Sequence, residues 1–302
     1  MNTRSGGIPV AGAVRFERVG EPVGYRLRVL GERLAKGVLY VILIAIAFAS
    51  LFPFLWMFST SFKDTLTIQE YPPRLIPPEP TFLNYNELFL VSDYLIWLKN
   101  SLVVTVVVVV AGLLISSLAG YGFAKKYFFG KDFIFIVVLG TLMVPAQVTI
   151  VPLYIMLAKL NVVNTYWALI FPNLTGAFGV FLMRQYMATI PNELMDAARI
   201  DGAGELRIFW AIMLPLARPA LAALGVFAFL HSWNQFLYPL IVTTESSMRT
   251  LPVGLAIFQG QYATRWGLVM AGATMMFLPA LIVFMMLQRY FVQGIALTGL
   301  KG

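Results

Sequence analysis

The chain has 302 residues, of which 59% are hydrophobic and 12% charged, with a mean hydropathy of +0.79. A water-soluble domain carries about 25% charged residues, so this composition excludes a soluble globular protein and points to an integral membrane protein. Cysteine is absent and histidine occurs once, which excludes a disulfide framework, thiolate chemistry and a His-cluster metal centre; the net charge of +8 reports membrane orientation rather than nucleic-acid binding.

Residues 1–24 show no clean period and read as a loosely ordered tail. Arg26, Arg28, Arg33 and Lys36 then alternate with Leu27, Val29, Leu30 and Leu34, the pattern of a basic interfacial segment. Residues 1–36 are therefore expected to form a tail, and 37–302 a single membrane domain. A membrane-crossing helix needs about 20 apolar residues. Six runs meet that rule, at 38–60, 97–120, 133–158, 166–188, 219–243 and 268–290. The first is too long for a signal-peptide core and lacks a small-residue cleavage site, so it reads as an uncleaved span. The expected fold is all-α and membrane-embedded. Pro53, Pro145, Pro152, Pro172, Pro239 and Pro279 fall inside the runs and predict kinks.

With the N-terminus inside, 16 of the 22 Lys/Arg fall on the inner side. This positive-inside bias predicts cytoplasmic N- and C-termini. Two external loops follow from it: a Pro-rich segment over 62–95, and a polar one over 244–267 that contains Gln259, Gln261 and Tyr262.

Between the fourth and fifth runs lies a polar stretch, 191–215, expected in the cytoplasm. Pro191 and Asn192 signal a helix start, and Glu193 suits its first turn. Leu194, Ala197, Ala198 and Ile200 follow a rough helical spacing. Asp201-Gly202 is a turn signal, with Gly202 expected in the left-handed region. A second helix is predicted over Glu205–Met213, stopping at Pro215. The stretch reads as a helix-turn-helix loop. Asp196 can accept a charge-assisted hydrogen bond from a partner or from the loop itself, and small Ala197 and Ala198 permit close approach of a partner surface.

The chain has no G-x-x-x-x-G-K-[ST]; its Gly130-Lys131 is followed by Asp132. It cannot bind ATP through a P-loop of its own. The span interiors carry no Asp, Glu, Lys or Arg, which argues against an independent ion-coupled carrier. The fifth run does carry His231-Ser232-Trp233-Asn234-Gln235 and Tyr238. Polar groups at membrane depth cost roughly 2–7 kcal/mol when unpaired, so these face either a polar path or another helix. Both readings stand, and Asn173, Thr175 and Gln147 invite the same pair.

The 191–215 stretch resembles the cytoplasmic loop of bacterial ATP-binding-cassette importer permeases, written E-A-A, three residues, G, nine residues, I-x-L-P. Asp196-Ala197-Ala198, Gly202, Ile212 and Leu214-Pro215 fit every spacing, with Asp196 in place of Glu. Ser59-Thr60-Ser61-Phe62-Lys63, Trp233-Asn234 with Tyr238-Pro239, Leu251–Leu255 and the C-terminal end resemble the carbohydrate branch, in particular the second, six-span permease of maltose-type importers. The resemblance covers nearly the whole chain after residue 36. It implies a prokaryotic inner-membrane protein working with a second permease subunit, two copies of a cytoplasmic ATPase that carry the ATP and Mg, and an extracytoplasmic sugar-binding protein. It implies no enzyme activity and no cofactor or metal on this chain.

On that resemblance the coupling residues are Glu193, Asp196, Ala197, Ala198, Asp201, Gly202, Ala203, Ile212, Leu214 and Pro215. Trp233, Asn234, Gln235, Tyr238 and Asn173 are candidates for the path, and Gln259, Gln261 and Tyr262 for binding-protein contact. The same machine with a glycerol phosphate or polyol cargo is the alternative. A self-sufficient channel or carrier, or a membrane enzyme, comes behind it.

Overall fold

The computed structural model describes residues 23–260 and 264–298. They form helices joined by turns, and among the described residues the one β-type pairing is an isolated bridge between Gln259 and Thr264. Fifteen α-helical elements follow in order: α1 Val23–Ser61, α2 Thr65–Gln69, α3 Leu83–Val91, α4 Tyr94–Lys125, α5 Lys131–Gly140, α6 Ala146–Lys159, α7 Tyr166–Ile170, α8 Ala177–Ala188, α9 Glu193–Ile200, α10 Glu205–Ile208, α11 Leu214–Leu216, α12 Arg218–Trp233, α13 Leu237–Val242, α14 Leu251–Ala256 and α15 Trp266–Thr298.

Compactness divides the chain between Leu55 and Trp56, inside α1. Residues 31–55 are exposed helix, and from Gly37 on they carry no charged side chain, as expected of a surface whose solvent is lipid. In the second unit α4 is the central rod.

Three helices are individually long and apolar enough to cross a membrane, and up to six spans result if each bent pair is one span. The third predicted span is the α5–α6 pair, bent by 99°. Its break is local chemistry: Pro145 takes an extended backbone, and Val144 before it is extended too, because proline disfavours the helical region for its predecessor. The fourth is α7–α8, bent by 40° after a 3-10 turn that carries Pro172. α1, α6 and α15 instead continue past Pro53, Pro152 and Pro279. The predicted 219–243 run is two helices, since α12 ends at Trp233 and α13 begins again at Leu237.

The tightest helix pair is α4 with α8. Gly112, Ser116 and Gly120 recur every four residues on α4. A Cβ on Gly120 would sit 2.6 Å from the Met183 Cβ, and one on Gly179 2.5 Å from the Ser116 Oγ. Small residues at this spacing bring two backbones together where no hydrophobic drive from water exists.

Candidate functional site

The 191–215 stretch folds as α9, a glycine turn and α10. Asn192 precedes α9, but its side chain does not cap the helix. Its Oδ1 accepts from the Lys125 Nζ at 2.8 Å, and the same ammonium donates to the Ile190 carbonyl. Gly202 has φ +80°, the left-handed value expected. The Ala203 N–H donates to the Ala198 carbonyl at 2.9 Å and the Gly202 N–H to that of Arg199 at 3.0 Å. These are the two bonds of a Schellman cap, which needs a left-handed residue at this position.

After the turn, Glu205 becomes the hub. Its Oε2 accepts from the Tyr121 hydroxyl at 2.7 Å and pairs with the Lys126 ammonium. Its Oε1 accepts from Arg199 at 3.2 and 3.3 Å, and Arg199 Nη1 donates to Asp196 Oδ1 at 2.7 Å. Lys126 first, and Tyr121 with it, hold the Glu205 carboxyl down at about 2. Asp196 thus takes its charge-assisted bond from the loop itself.

The two alanines separate. Ala197 is exposed, whereas Ala198 is buried with Met195 in a cluster that includes Tyr121, Met183, Met187, Ile208 and Phe209. The predicted role of Ala198 as a partner-facing residue is therefore corrected: a residue three positions after Met195 shares its inward face. Glu193, Asp201, Leu194, Ile200 and Leu206 are exposed, while Ala203, Ile212 and Leu214 lie half-buried against the cluster. The second helix does not stop at Pro215. Residues Phe209–Met213 form a π-helical turn in which the Leu214 N–H reaches the Phe209 carbonyl. This wider turn carries the chain past Pro215, so it runs on to Leu216. It then bends by 77° into α12.

A second constellation sits at the helix breaks. A cleft of about 420 Å³ is lined by Gly112, Ser116, Asn173, Thr175 and His231, among others. A neighbouring cleft of about 310 Å³ is lined by Gln147, Asn173, His231, Gln235 and Tyr238. Asn173 and His231 belong to both. Gln235 Nε2 donates to Asn173 Oδ1 at 3.2 Å, across from the α7–α8 break to the α12–α13 break. No Asp, Glu, Lys or Arg lines either cleft among the described residues. Such a lining can exchange hydrogen bonds with a hydroxylated molecule and offers no ion-pair partner.

Trp233, Tyr238 and Asn234 of the fifth run each have bonding partners of their own, although Tyr238 also borders the second cleft. Trp233 is buried, stacks on Phe229, and donates its indole N–H to the Met276 carbonyl at 3.0 Å. Tyr238 is buried with its hydroxyl on the Ala168 carbonyl. Asn234 is exposed and bonds back to Leu230 at 2.9 Å. At the opposite end of α4 from the loop, Asn100 donates to the carbonyls of Ser247 and Arg249 at 2.8 and 2.9 Å, and Trp97 to Ser246 at 3.0 Å. These bonds anchor the polar 244–251 segment. Gln259 is exposed; Gln261 and Tyr262 lie outside the described residues.

With the glycine turn and the neutral clefts in place, the comparison with known families is decisive. Residues 112–297 match the family described as binding-protein-dependent transport system inner membrane component. This chain belongs to that family. Its relatives include an arabinooligosaccharides transport system permease protein of Halalkalibacterium halodurans, 40% identical over 85% of this chain and 93% of the relative. A probable ABC transporter permease protein of Bacillus subtilis is 37% identical over 90% of each. An sn-glycerol-3-phosphate transport system permease protein of Pectobacterium atrosepticum is 34% identical over 85% of this chain and 94% of that one. The fold is shared with a chain of a bacterial ABC transporter involved in the import of alginate, with a TM-score of 0.76 at 24% identity over 86% of this chain and 98% of that one.

Membership in this family of inner membrane components makes the chain a multi-pass transport subunit. Sequence reasoning missed three residues of the loop's support. Tyr121, Lys125 and Lys126 reach it from α4, between 65 and 84 positions away in the chain. The available signal was the pairing of two lysines at the end of an apolar span with an acidic residue just after the glycine turn.

Proposed function

We propose that this chain is the permease subunit of an ATP-driven, binding-protein-dependent importer of a sugar or oligosaccharide. It forms half of the translocation path, and the 191–215 loop couples that path to a cytoplasmic ATPase. The observation that carries the reading is the loop itself: a short helix, closed by a left-handed glycine and hooked to α4 by charged groups, with Leu194, Ala197, Ile200 and Leu206 left exposed. A helix of eight residues is marginal alone in water. Here its inner face is docked on the spans, and its outer face is free to meet a partner.

The missing P-loop supports a reading in which separate ATPase subunits, two copies for two permeases, carry the ATP and Mg. The excess of basic residues supports a cytoplasmic position for the loop and both termini and an external one for the 62–95 and 244–267 segments, where a sugar-binding protein would deliver cargo. The arabinooligosaccharide relative favours a carbohydrate cargo, and the neutral clefts suit an uncharged one. The glycerol phosphate relatives keep a phosphorylated polyol as the second reading. No cationic side chain lines the clefts to receive a phosphate, which disfavours it.

The test is co-production of the chain with its partner permease and ATPase, followed by uptake in proteoliposomes. The complex should hydrolyse ATP in response to the loaded binding protein, and the lone chain should neither hydrolyse ATP nor move sugar. Reporter fusions after Lys126 and Arg207 should read cytoplasmic, and one near Asn84 external. Uptake by the lone chain, or an external signal after Arg207, would overturn the reading.

A further inference from the structure

The Ser59-Thr60-Ser61-Phe62-Lys63 motif plays no part in the loop or the clefts, yet it is held with unusual care. Asn84 Nδ2 donates to the carbonyls of Ser61 and Lys63 at 2.9 and 2.7 Å, and the Thr81 N–H donates to Phe62 at 2.9 Å. A Cβ on Gly267 would collide with the Asn84 amide, so glycine is required there to let α15 approach.

This fixed backbone turns Lys63 inward. The residue is 2% exposed. Its ammonium donates to the Arg74 carbonyl at 2.5 Å and lies 4.4 Å from the Trp56 ring centroid. Among the described residues no carboxylate lies within ion-pair distance of it. Neighbouring Asp64 is engaged with the Thr67 N–H instead. Burial pulls the Lys63 pKa down. Thr60, 5% exposed, has a hydroxyl with no hydrogen-bond partner.

Both residues line one cleft of about 280 Å³, walled by Trp56, Trp266 and Met270. A buried cation and a buried orphan hydroxyl each cost desolvation energy, and an oxyanion placed between them would satisfy both. Indoles near the ends of two membrane helices, Trp56 in the last turns of α1 and Trp266 at the start of α15, mark the depth of the lipid headgroups. The anion that every phospholipid bilayer presents at that depth is a phosphate.

We propose that this cleft is a phosphate-binding site, in which the Lys63 ammonium and the Thr60 hydroxyl hold the oxyanion and Trp56 and Trp266 wall the organic group that carries it. A phospholipid headgroup and a free phosphate ester offer the same chemistry. The site is separate from the neutral clefts, and the proposal does not depend on the cargo.

The test uses the purified full chain in neutral detergent, with phosphatidylglycerol, inorganic phosphate and, as a phosphate-free control, diacylglycerol. Bound molecules are counted by native mass spectrometry, and protection is read from the thermal midpoint. Phosphatidylglycerol should bind the wild type and raise its midpoint, and diacylglycerol should not. Lys63→Met should weaken binding by roughly tenfold, the loss expected for one charge-assisted hydrogen bond. Lys63→Arg should retain most of it. Thr60→Val leaves the Lys63 clasp on Arg74 intact, so the chain should fold, and binding should fall severalfold. Protection by inorganic phosphate as well would identify a free phosphate ester as sufficient; protection by the lipid alone would identify the headgroup. Failure of both probes on the wild type would overturn the site. So would wild-type binding retained in both Lys63→Met and Thr60→Val, or diacylglycerol binding as well as phosphatidylglycerol.

Discussion

The Tyr121 hydroxyl donates to Glu205 Oε2 at 2.7 Å, joining the end of α4 to the first turn after the glycine of the 191–215 loop. The loop connects α8 to α12 in sequence, yet its polar anchors are on α4. A push on α9 therefore reaches the central rod through Tyr121, Lys125 and Lys126 as well as through its own covalent neighbours. Tyr121→Phe keeps the ring in the core and removes one bond to a half-exposed carboxylate, worth roughly 1.5 kcal/mol. Uptake should fall severalfold while the ATPase still co-purifies. Unchanged uptake per hydrolysed ATP would show that α4 receives no force through this bond.

The same carboxylate sets a pH window. Its folded value of about 2 lies below the usual 4.5, so the stabilisation it provides is complete above 4.5 and is lost as pH falls toward 2. Glu205→Gln should lower the thermal midpoint at pH 7, and the gap to wild type should close between about 4.5 and about 2. A gap that persisted unchanged at the acid end would rule out ionised Glu205 as the source.

At Gly202 a Cβ would meet nothing within 4 Å, so the demand for glycine is conformational. A side chain at φ +80° costs roughly 1–2 kcal/mol, and less for asparagine. Uptake should follow the order Gly, Asn, Ala, Val with membrane insertion unchanged. Wild-type ATPase capture and uptake in Gly202→Val would show that the turn is not part of the coupling element.

Ala197→Leu and Ala198→Leu should fail in different ways. Ala198 is buried, and overpacking there costs roughly 1–3 kcal/mol, so its variant should melt early even without partners. Ala197 is exposed; its variant should melt like wild type but capture less ATPase. Identical melting of the two would contradict the division of the α9 faces.

Much of this was legible in advance because hydrophobicity, glycine and proline act locally. The membrane runs, the loop's spacing and the left-handed Gly202 all follow from neighbours within a turn or two. The inward face of α9 was legible too, since Met195 and Ala198 are three apart, but two adjacent alanines read as one small patch. Proline was a poor guide by itself. Pro145 and Pro172 lie at or beside helix breaks, whereas α1, α6 and α15 run on past Pro53, Pro152 and Pro279, as membrane helices tolerate. The Glu205 hub, the Asn100 anchor and the Lys63 cleft join residues tens of positions apart or more, and no periodicity announces such contacts.

The fifth span carries the last prediction, on what its polar groups do. Trp233 is fully packed and donates to the Met276 carbonyl, so Trp233→Phe should destabilise by roughly 1–2 kcal/mol through the lost bond and volume. Cargo preference should not change, because the ring borders neither cleft. Gln235 is half-buried and borders one cleft, and its contact with Asn173 spans two helix breaks. Gln235→Ala should leave the stability within about 0.5 kcal/mol of wild type, as for a partly exposed polar side chain. If the pair lines the path, uptake per assembled complex should fall severalfold, with the Michaelis constant for the loaded binding protein unchanged. If the pair is only glue between broken helices, assembly should drop while each remaining complex turns over normally. Asn173→Ala is the less clean probe, because it also removes the 2.9 Å bond to the Leu169 carbonyl. Agreement between the two variants in uptake but not in melting would assign the function to the cleft rather than to the helix end.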